Sequence, residues 1–370
     1  MKSIHFGKKY CKMIYFVIFF INSLLSIITQ FFNNRKLTFL FACILLVVLI
    51  IFGGLRYDTG YDYFNYEYLY NSYILYNSAP SLELGFKGLM RLTDFINPNF
   101  RFFLFIITVI IVGFKGKFIL KYSYIPIFSI LIYYSRIYLN SDFGQVRQGF
   151  AMIFVLYSLV PVMERNLKKF LLLIFLGILF HVSSIFFFPV YFFVSKSYSV
   201  KKLLIILGSS FIFLVVNFKD ILSRFVNYFP SFISSKILNY SISEADLEIG
   251  ITFSLVFRIL ILFLVFGLLY NKIRTNKYEL TVFNIYYLGV VFYIIFNSFP
   301  QLSGRGSLYF LQFEILLFPI ILKNVNNIFI KTAFFLIIMF YCYWGIQSII
   351  DSQPESFIPY KNLLFYDFVR

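Results

Sequence analysis

Arg147 follows Asp142-Phe143-Gly144 where an apolar stretch opens, so its guanidinium and the free N–H groups of a helix start can converge on one anion. Arg305 stands between Gly304 and Gly306 in a short polar break, where glycines let the backbone approach a ligand. A planar guanidinium grips phosphate oxygens two at a time, which makes arginine the residue of choice for holding phosphate. Arg56 closes one apolar run, a position that equally suits a side chain reaching for lipid headgroups. Arg258 lies seven residues inside another run, and a charge at that depth either pairs or touches a ligand; Glu314 is its expected partner. Acid–base groups stand nearby in sequence. Asp58, Asp62 and Tyr66 repeat at i, i+4 and share a face if helical, although Gly60 suits a tight turn as well. A carboxylate there can take a proton from a hydroxyl, as can His181, whose ordinary pKa near 6.5 suits such work.

These residues sit in a chain that has to be a membrane protein. Of 370 residues, 60% are apolar and 13% charged, with a mean hydropathy of +0.82, which excludes a soluble globular domain. The apolar runs are too long for barrel strands, so the expected fold is all-α, a polytopic bundle of about 11–12 membrane segments forming a single domain over 1–370. The formal charge of +17 is divided among short loops, which argues against nucleic acid and for anionic lipid or lipid pyrophosphates. Cys11, Cys43 and Cys342 have neither disulfide nor metal spacing, and no metal site or cofactor is expected.

Helices are expected at Met13 to Phe32, Leu37 to Leu55, Phe102 to Ile119, Ile125 to Leu139, Gly149 to Met163, Phe170 to Val194, Leu203 to Phe218, Ile251 to Tyr270, Leu280 to Phe299, Leu308 to Leu322 and Ile328 to Ile350. Residues 56–101 form the longest polar segment, expected outside the cytoplasm, and 219–250 an amphipathic one on the same side. Basic clusters at Arg35/Lys36, Lys115/Lys117/Lys121, Arg165/Lys168/Lys169, Lys196/Lys201/Lys202, Lys272/Arg274/Lys277 and Lys323/Lys331 are expected in the cytoplasm. Two conflicts follow. Residues 170–194 have basic flanks on both sides, which a broken hairpin with His181-Val182-Ser183-Ser184 at its tip resolves; the alternative is one tilted helix with a basic outer loop. The basic residues Lys2, Lys8, Lys9 and Lys12 would lie outside, against the rule.

Several stretches carry a resemblance. Gly54-Leu55-Arg56-Tyr57 with Gly60-x-Asp62-Tyr63 and Tyr66, then Gln145-Val146-Arg147-Gln148-Gly149-Phe150-Ala151, Phe180-His181-Val182-Ser183-Ser184 and Arg305-x-x-x-Tyr309 occur in order over most of the chain. With Glu83-Leu84-Gly85-Phe86, whose expected use is to orient the first loop, they resemble the EpsG family of Wzy-like exopolysaccharide polymerases. The resemblance implies a membrane glycosyltransferase of the bacterial cytoplasmic membrane that joins undecaprenyl-pyrophosphate-linked oligosaccharides into exopolysaccharide, capsule or O-antigen. It implies catalytic roles for Asp58, Asp62 and His181, and substrate contacts for Arg56, Tyr66, Arg147, Gln148, Arg258, Arg305 and Tyr309. A flippase and a chain-length regulator are its implied partners. A lipid-oligosaccharide flippase would favour deep charges across many helices and internal repeats, and no repeat is found. An O-antigen ligase shares the chemistry and differs in the acceptor, and a membrane acyltransferase would rest on one histidine.

Overall fold

The computed structural model describes residues 2–32, 34–78, 82–215, 224, 228 and 251–364, with the side chains of 2–11, 31, 32 and 215 outside the description. The amphipathic segment expected at 219–250 lies outside the described residues but for Arg224 and Tyr228. Among the described residues the fold is all-α, its extended pairing limited to an isolated antiparallel bridge between Arg56 and Asn362. Among the described residues seven helices are long and apolar enough to cross a membrane, so the chain is a multi-pass membrane protein. The other expected segments are present as shorter helical pieces, at 126–142, 167–187, 200–215 and 302–324, the end of the one expected at Leu203 to Phe218 lying outside the described residues. Contacts divide the chain into two compact units.

The first unit comprises Met1–Ser158, Lys168–Ile185 and Glu314–Arg370. Its helices are α1 (Lys2–Phe32), α2 (Arg35–Gly54), α3 (Tyr63–Tyr76), α4 (Leu84–Ile96), α5 (Phe100–Tyr122), α6 (Pro126–Ile132), α7 (Val146–Tyr157), α8 (Leu167–Ile178), α9 (Glu314–Asn324) and α10 (Ile328–Ser352). Asparagine opens three of the long ones. The side chains of Asn34, Asn99 and Asn327 accept from first-turn N–H groups of α2, α5 and α10, satisfying donors that hydrocarbon leaves without partners. α6 is the axis, with α1, α2, α5 and α9 packed around it, and residues 127–135 are wholly buried. A helix covered on all sides has no polar face, which is why Ile127, Phe128, Ile130, Leu131 and Ile132 follow one another with only Ser129 between. Two tyrosines that follow point their hydroxyls at neighbouring backbones: Tyr134 donates to the carbonyl of Tyr15 at 2.8 Å and Tyr138 to that of Leu49 at 2.6 Å. From Tyr133 the helix widens into a π-helix, Tyr133–Asp142, a form that is rare and gathers at functional sites.

The polar segment 56–101 is not a plain loop, because it carries the hairpin of α3 and α4. Tyr63, Tyr66, Tyr70 and Tyr73 recur at helical spacing and are buried against Phe86, Phe100 and Phe103. Their polar tips are matched: Tyr70 donates to Asp94 Oδ1 at 3.2 Å, and Arg91 Nε donates to Tyr73 Oη at 2.9 Å. Burial raises the Tyr70 phenol well above its ordinary range, with the Asp94 charge adding to the effect.

The stretch Phe170 to Val194 is broken. α8 has 12 residues and rises about 18 Å, short of the roughly 30 Å a crossing needs. After Ile178 the chain turns and resumes as a 3-10 helix, Val182–Phe187, with His181 at the break. The backbone groups freed there are taken up by protein, as irregular backbone within a membrane requires. Phe180 N–H and His181 N–H donate to Gly177 O at 3.0 and 2.9 Å, Gly85 N–H to Leu179 O at 2.8 Å, and Val182 N–H to Glu83 Oε1 at 3.4 Å.

The second unit, Leu159–Leu167 and Phe186–Phe313, is built around the helix Lys277–Ile295. Pieces at Leu159–Met163, Val190–Phe193, Val200–Ser210, Phe253–Leu264 and Ser307–Leu311 pack on it. Asn284 in its middle donates to the carbonyls of Val194 and Lys196 at 2.8 and 3.0 Å, tying the turn after Val190–Phe193 to this core.

Candidate functional site

Arg56, for all its prominence, faces inward. It is 1% exposed and donates through Nε to Thr59 O at 3.1 Å, through Nη2 to Phe143 O at 2.5 Å, and through Nη1 to Gly53 O, with the guanidinium 4.1 Å above the Phe143 ring. It ties the end of α2 to the Asp142-Phe143-Gly144 stretch. The turn it anchors is tight: Asp58 and Gly60 take φ of +46 and +119°, and a side chain on Gly60 would press on Phe143 O. Asp58 therefore leaves the face of Asp62 and Tyr66, and pairs with Lys361 Nζ at 3.0 Å. Asp62 stands at the N-cap of α3, one turn before Tyr66, whose N–H donates to the Asp62 carbonyl at 2.9 Å.

Around Arg147 the sequence motifs meet. Arg147 is the second residue of α7, and its Nη1 pairs with Glu83 Oε2 at 3.0 Å, both side chains about one-fifth exposed (22% and 17%). Its buried Nε makes no hydrogen bond among the described residues. Tyr66 packs alongside, its ring centroid 5.9 Å from the guanidinium carbon and its Oη 3.5 Å from the Arg147 N–H. Burial raises the Tyr66 phenol above its ordinary pKa, and the Arg147 charge works against that rise. Glu83 has a second task. Its other oxygen accepts from Val182 N–H, the residue next to His181. The His181 Nδ1 lies 2.5 Å from Ser183 Oγ, a hydrogen bond that orients the imidazole. Phe180 completes the contact by stacking on Phe150 of α7, ring centroids 4.0 Å apart.

Gly85 is required by this junction. A β-carbon there would lie 2.8 Å from Leu179 O, too close for any side chain, and the carbonyl already accepts the Gly85 N–H. Gly85→Val is expected to push α4 off the break and to lower stability by about 1–3 kcal/mol. Thermal unfolding of the purified chain checks this, and an unchanged midpoint would dismiss the contact.

Beneath the loop lies a second polar cluster. Lys115 Nζ and Asp142 Oδ1 are 2.6 Å apart with 1% of each side chain exposed, and Tyr133 donates to Asp142 Oδ2 at 2.5 Å. Lys115 is thus no loop residue: α5 runs on to Tyr122 and carries it inside. Gly149 of α7 leaves the room, since a β-carbon there would stand 2.5 Å from Asp142 Oδ1.

In the second unit, Arg305 is exposed on a π turn, Leu302–Gly306, and Tyr309 is fully buried one turn later. Gly306 lies against Phe292, where a β-carbon would be 2.9 Å from the ring. Arg258 is 6% exposed, with its guanidinium carbon 5.8 Å from the Tyr293 ring centroid. Ser303, two residues before Arg305, donates to Tyr293 O at 3.1 Å, so both arginines belong to elements that meet at Tyr293. Glu314, the partner expected for Arg258, belongs to the first unit, where it is buried and accepts from Tyr341 Oη at 3.4 Å.

The family model for the EpsG family matches residues 39–362. The chain belongs to the EpsG family. No curated protein and no solved structure matches it. Family membership places this EpsG chain in polysaccharide biosynthesis at a membrane. Of the residues singled out in sequence, the EpsG fold gathers Tyr66, Arg147 and His181 in one unit, with Asp62 one turn from Tyr66 and Gln148, 1% exposed, beside Arg147. It sets Asp58 on Lys361 and Arg56 on backbone carbonyls, and it places Arg258, Arg305 and Tyr309 in the other unit. Glu83, read in sequence only as an orienting element, is the residue that joins Arg147 to the His181 break. Its signal was present in Glu83-Leu84-Gly85-Phe86.

Proposed function

We propose that this EpsG chain is a polymerase of the bacterial cytoplasmic membrane. It joins undecaprenyl-pyrophosphate-linked oligosaccharide repeat units into an exopolysaccharide, capsule or O-antigen on the extracytoplasmic side. In this reaction an acceptor hydroxyl oxygen attacks the anomeric carbon of the donor sugar, the bond from that carbon to the pyrophosphate oxygen breaks, and the hydroxyl proton passes to a base. The leaving group is already activated, so the site has to align two large substrates and stabilise charge on the departing pyrophosphate.

The observation that carries the reading is Arg147: a guanidinium on the first turn of α7, with one arm on Glu83 and a buried Nε that no described residue uses. Such a group, on the first turn of a helix where the dipole favours an anion, is suited to a phosphate oxygen. Asp62 and His181 are the candidate bases; Asp58 is held by Lys361 and is the poorer one. Arg56 fits a positioning role, because each of its three side-chain nitrogens donates to a backbone carbonyl. Arg305, exposed between two glycines, is a second candidate for substrate anions. A flippase that delivers repeat units and a chain-length regulator are proposed partners.

A gel of surface polysaccharide from a deletion strain tests this. Single repeat units are expected in place of long chains, with length restored by the wild-type gene. Unchanged chain lengths would sink the polymerase reading, and loss of all extracytoplasmic repeat units would favour a flippase.

A further inference from the structure

The opposite end of the first unit carries a different kind of site. α2, α5 and α10 each run the length of this unit. One end of each lies near the Arg56 turn and the α3–α4 hairpin: Arg56 follows α2, Phe100 of α5 meets the rings of Tyr63 and Tyr70, and Tyr61 Oη donates to Ile349 O of α10 at 2.8 Å. At the other end, about 30 Å away along α2, a cavity of about 750 Å³ opens between the helices, with Arg35, Lys121 and Lys331 on its walls beside Thr38, Tyr124 and Gln30. A fourth cation, Lys323, sits 3.8 Å from the centroid of the Tyr124 ring. None of the residues lining this cavity is acidic. Adjoining it is an apolar groove of about 350 Å³ formed by Ile27, Ile328, Phe335 and Leu336, and Gln30 and Lys331 line both.

A basic cavity opening onto an apolar groove has the shape of a lipid with a phosphate head. We propose that this end of the chain binds an anionic phospholipid, its phosphate among Arg35, Lys121 and Lys331 and an acyl chain along Phe335 and Leu336. The groove favours a lipid over a free phosphate, because a soluble anion would leave that apolar surface unused. The basic loops at this end are those the positive-inside rule assigns to the cytoplasm, the leaflet face where anionic lipid attracts such clusters. The proposal goes beyond the polymerase reading and does not rest on it.

Native mass spectrometry of the detergent-purified full chain, offered equal amounts of dioleoyl phosphatidylglycerol and dioleoyl phosphatidylcholine, tests it. Wild type and Arg35→Lys/Lys121→Arg/Lys331→Arg should retain the anionic lipid over the zwitterionic one by about a hundredfold. Arg35→Gln/Lys121→Gln/Lys331→Gln should bring the two to parity, and each single Gln variant should cost about fivefold, so the outcome does not hang on one triple variant remaining folded. An undiminished preference in Gln variants that elute as a single species would overturn the site. Displacement of the lipid by an equal concentration of glycerol 3-phosphate would overturn the lipid in favour of a free phosphate.

Discussion

Arg147→Ala is expected to stop chain elongation, reducing polymer formation by about 10²–10³-fold, the loss seen when one preorganised donor to a developing anion is removed. The partly exposed pair with Glu83 contributes only about 1 kcal/mol or less to folding. Protein level and thermal midpoint should therefore hold while polymer disappears. Arg147→Lys keeps the charge but not the planar fork, and should recover only part of the activity. Polysaccharide gels of the complemented deletion strain, read beside the protein level in membranes, give the answer. Loss of activity in proportion to loss of protein would mean that Arg147 serves folding alone.

The second large effect concerns Lys115 and Asp142. Lys115→Met leaves a buried carboxylate and Asp142→Asn a buried ammonium, each in surroundings with 1% of the side chain exposed. Either single change should destabilise the chain by about 3–5 kcal/mol, because an uncompensated charge remains in a dry interior. The double variant Lys115→Met/Asp142→Asn carries neither charge, and the side-chain oxygen of the introduced asparagine can still accept from Tyr133, so it should return close to wild type. Fluorescence-detected size-exclusion thermal melts of the three variants measure this. Singles no worse than the double would show that the two groups do not depend on each other's charge. The cluster lies directly before Gly144 and Arg147, so the singles should also lower polymer formation, through the loop rather than through contact with substrate.

What could be read in the sequence divides along physical lines. The all-α membrane class followed from apolar run length alone, and so did most long helices. The break at His181 was legible because basic residues flank both ends of a stretch too short for two crossings. Arg147 stood out in the sequence because it follows Asp142-Phe143-Gly144 where a helix begins, and the structure does place it on the first turn of α7. Arg56 was equally conspicuous, yet only coordinates show its guanidinium turned inward onto Gly53, Thr59 and Phe143. Lys115 was hidden by its company, since Lys117 and Lys121 made the three resemble one loop cluster. α3 was missed because tyrosine, with an apolar ring and a polar tip, blurs the helical period that Tyr63, Tyr66, Tyr70 and Tyr73 in fact keep. Glu83 was under-read because a single acid in a polar segment gives no hint of which cation it will meet.

The hairpin of α3 and α4 has one further property. Two of its cross-links are directional, from Tyr70 to Asp94 and from Arg91 to Tyr73, and both run along the same seam. Aliphatic packing would let one helix slide past the other by a turn, about 5.4 Å, at modest cost. Here the same slide breaks both hydrogen bonds at once and strands their polar groups against rings. The hairpin is therefore indexed like a key with two teeth. Tyr66 rides on one arm and Glu83 starts the other, so the two groups flanking the Arg147 guanidinium can take up only one spacing.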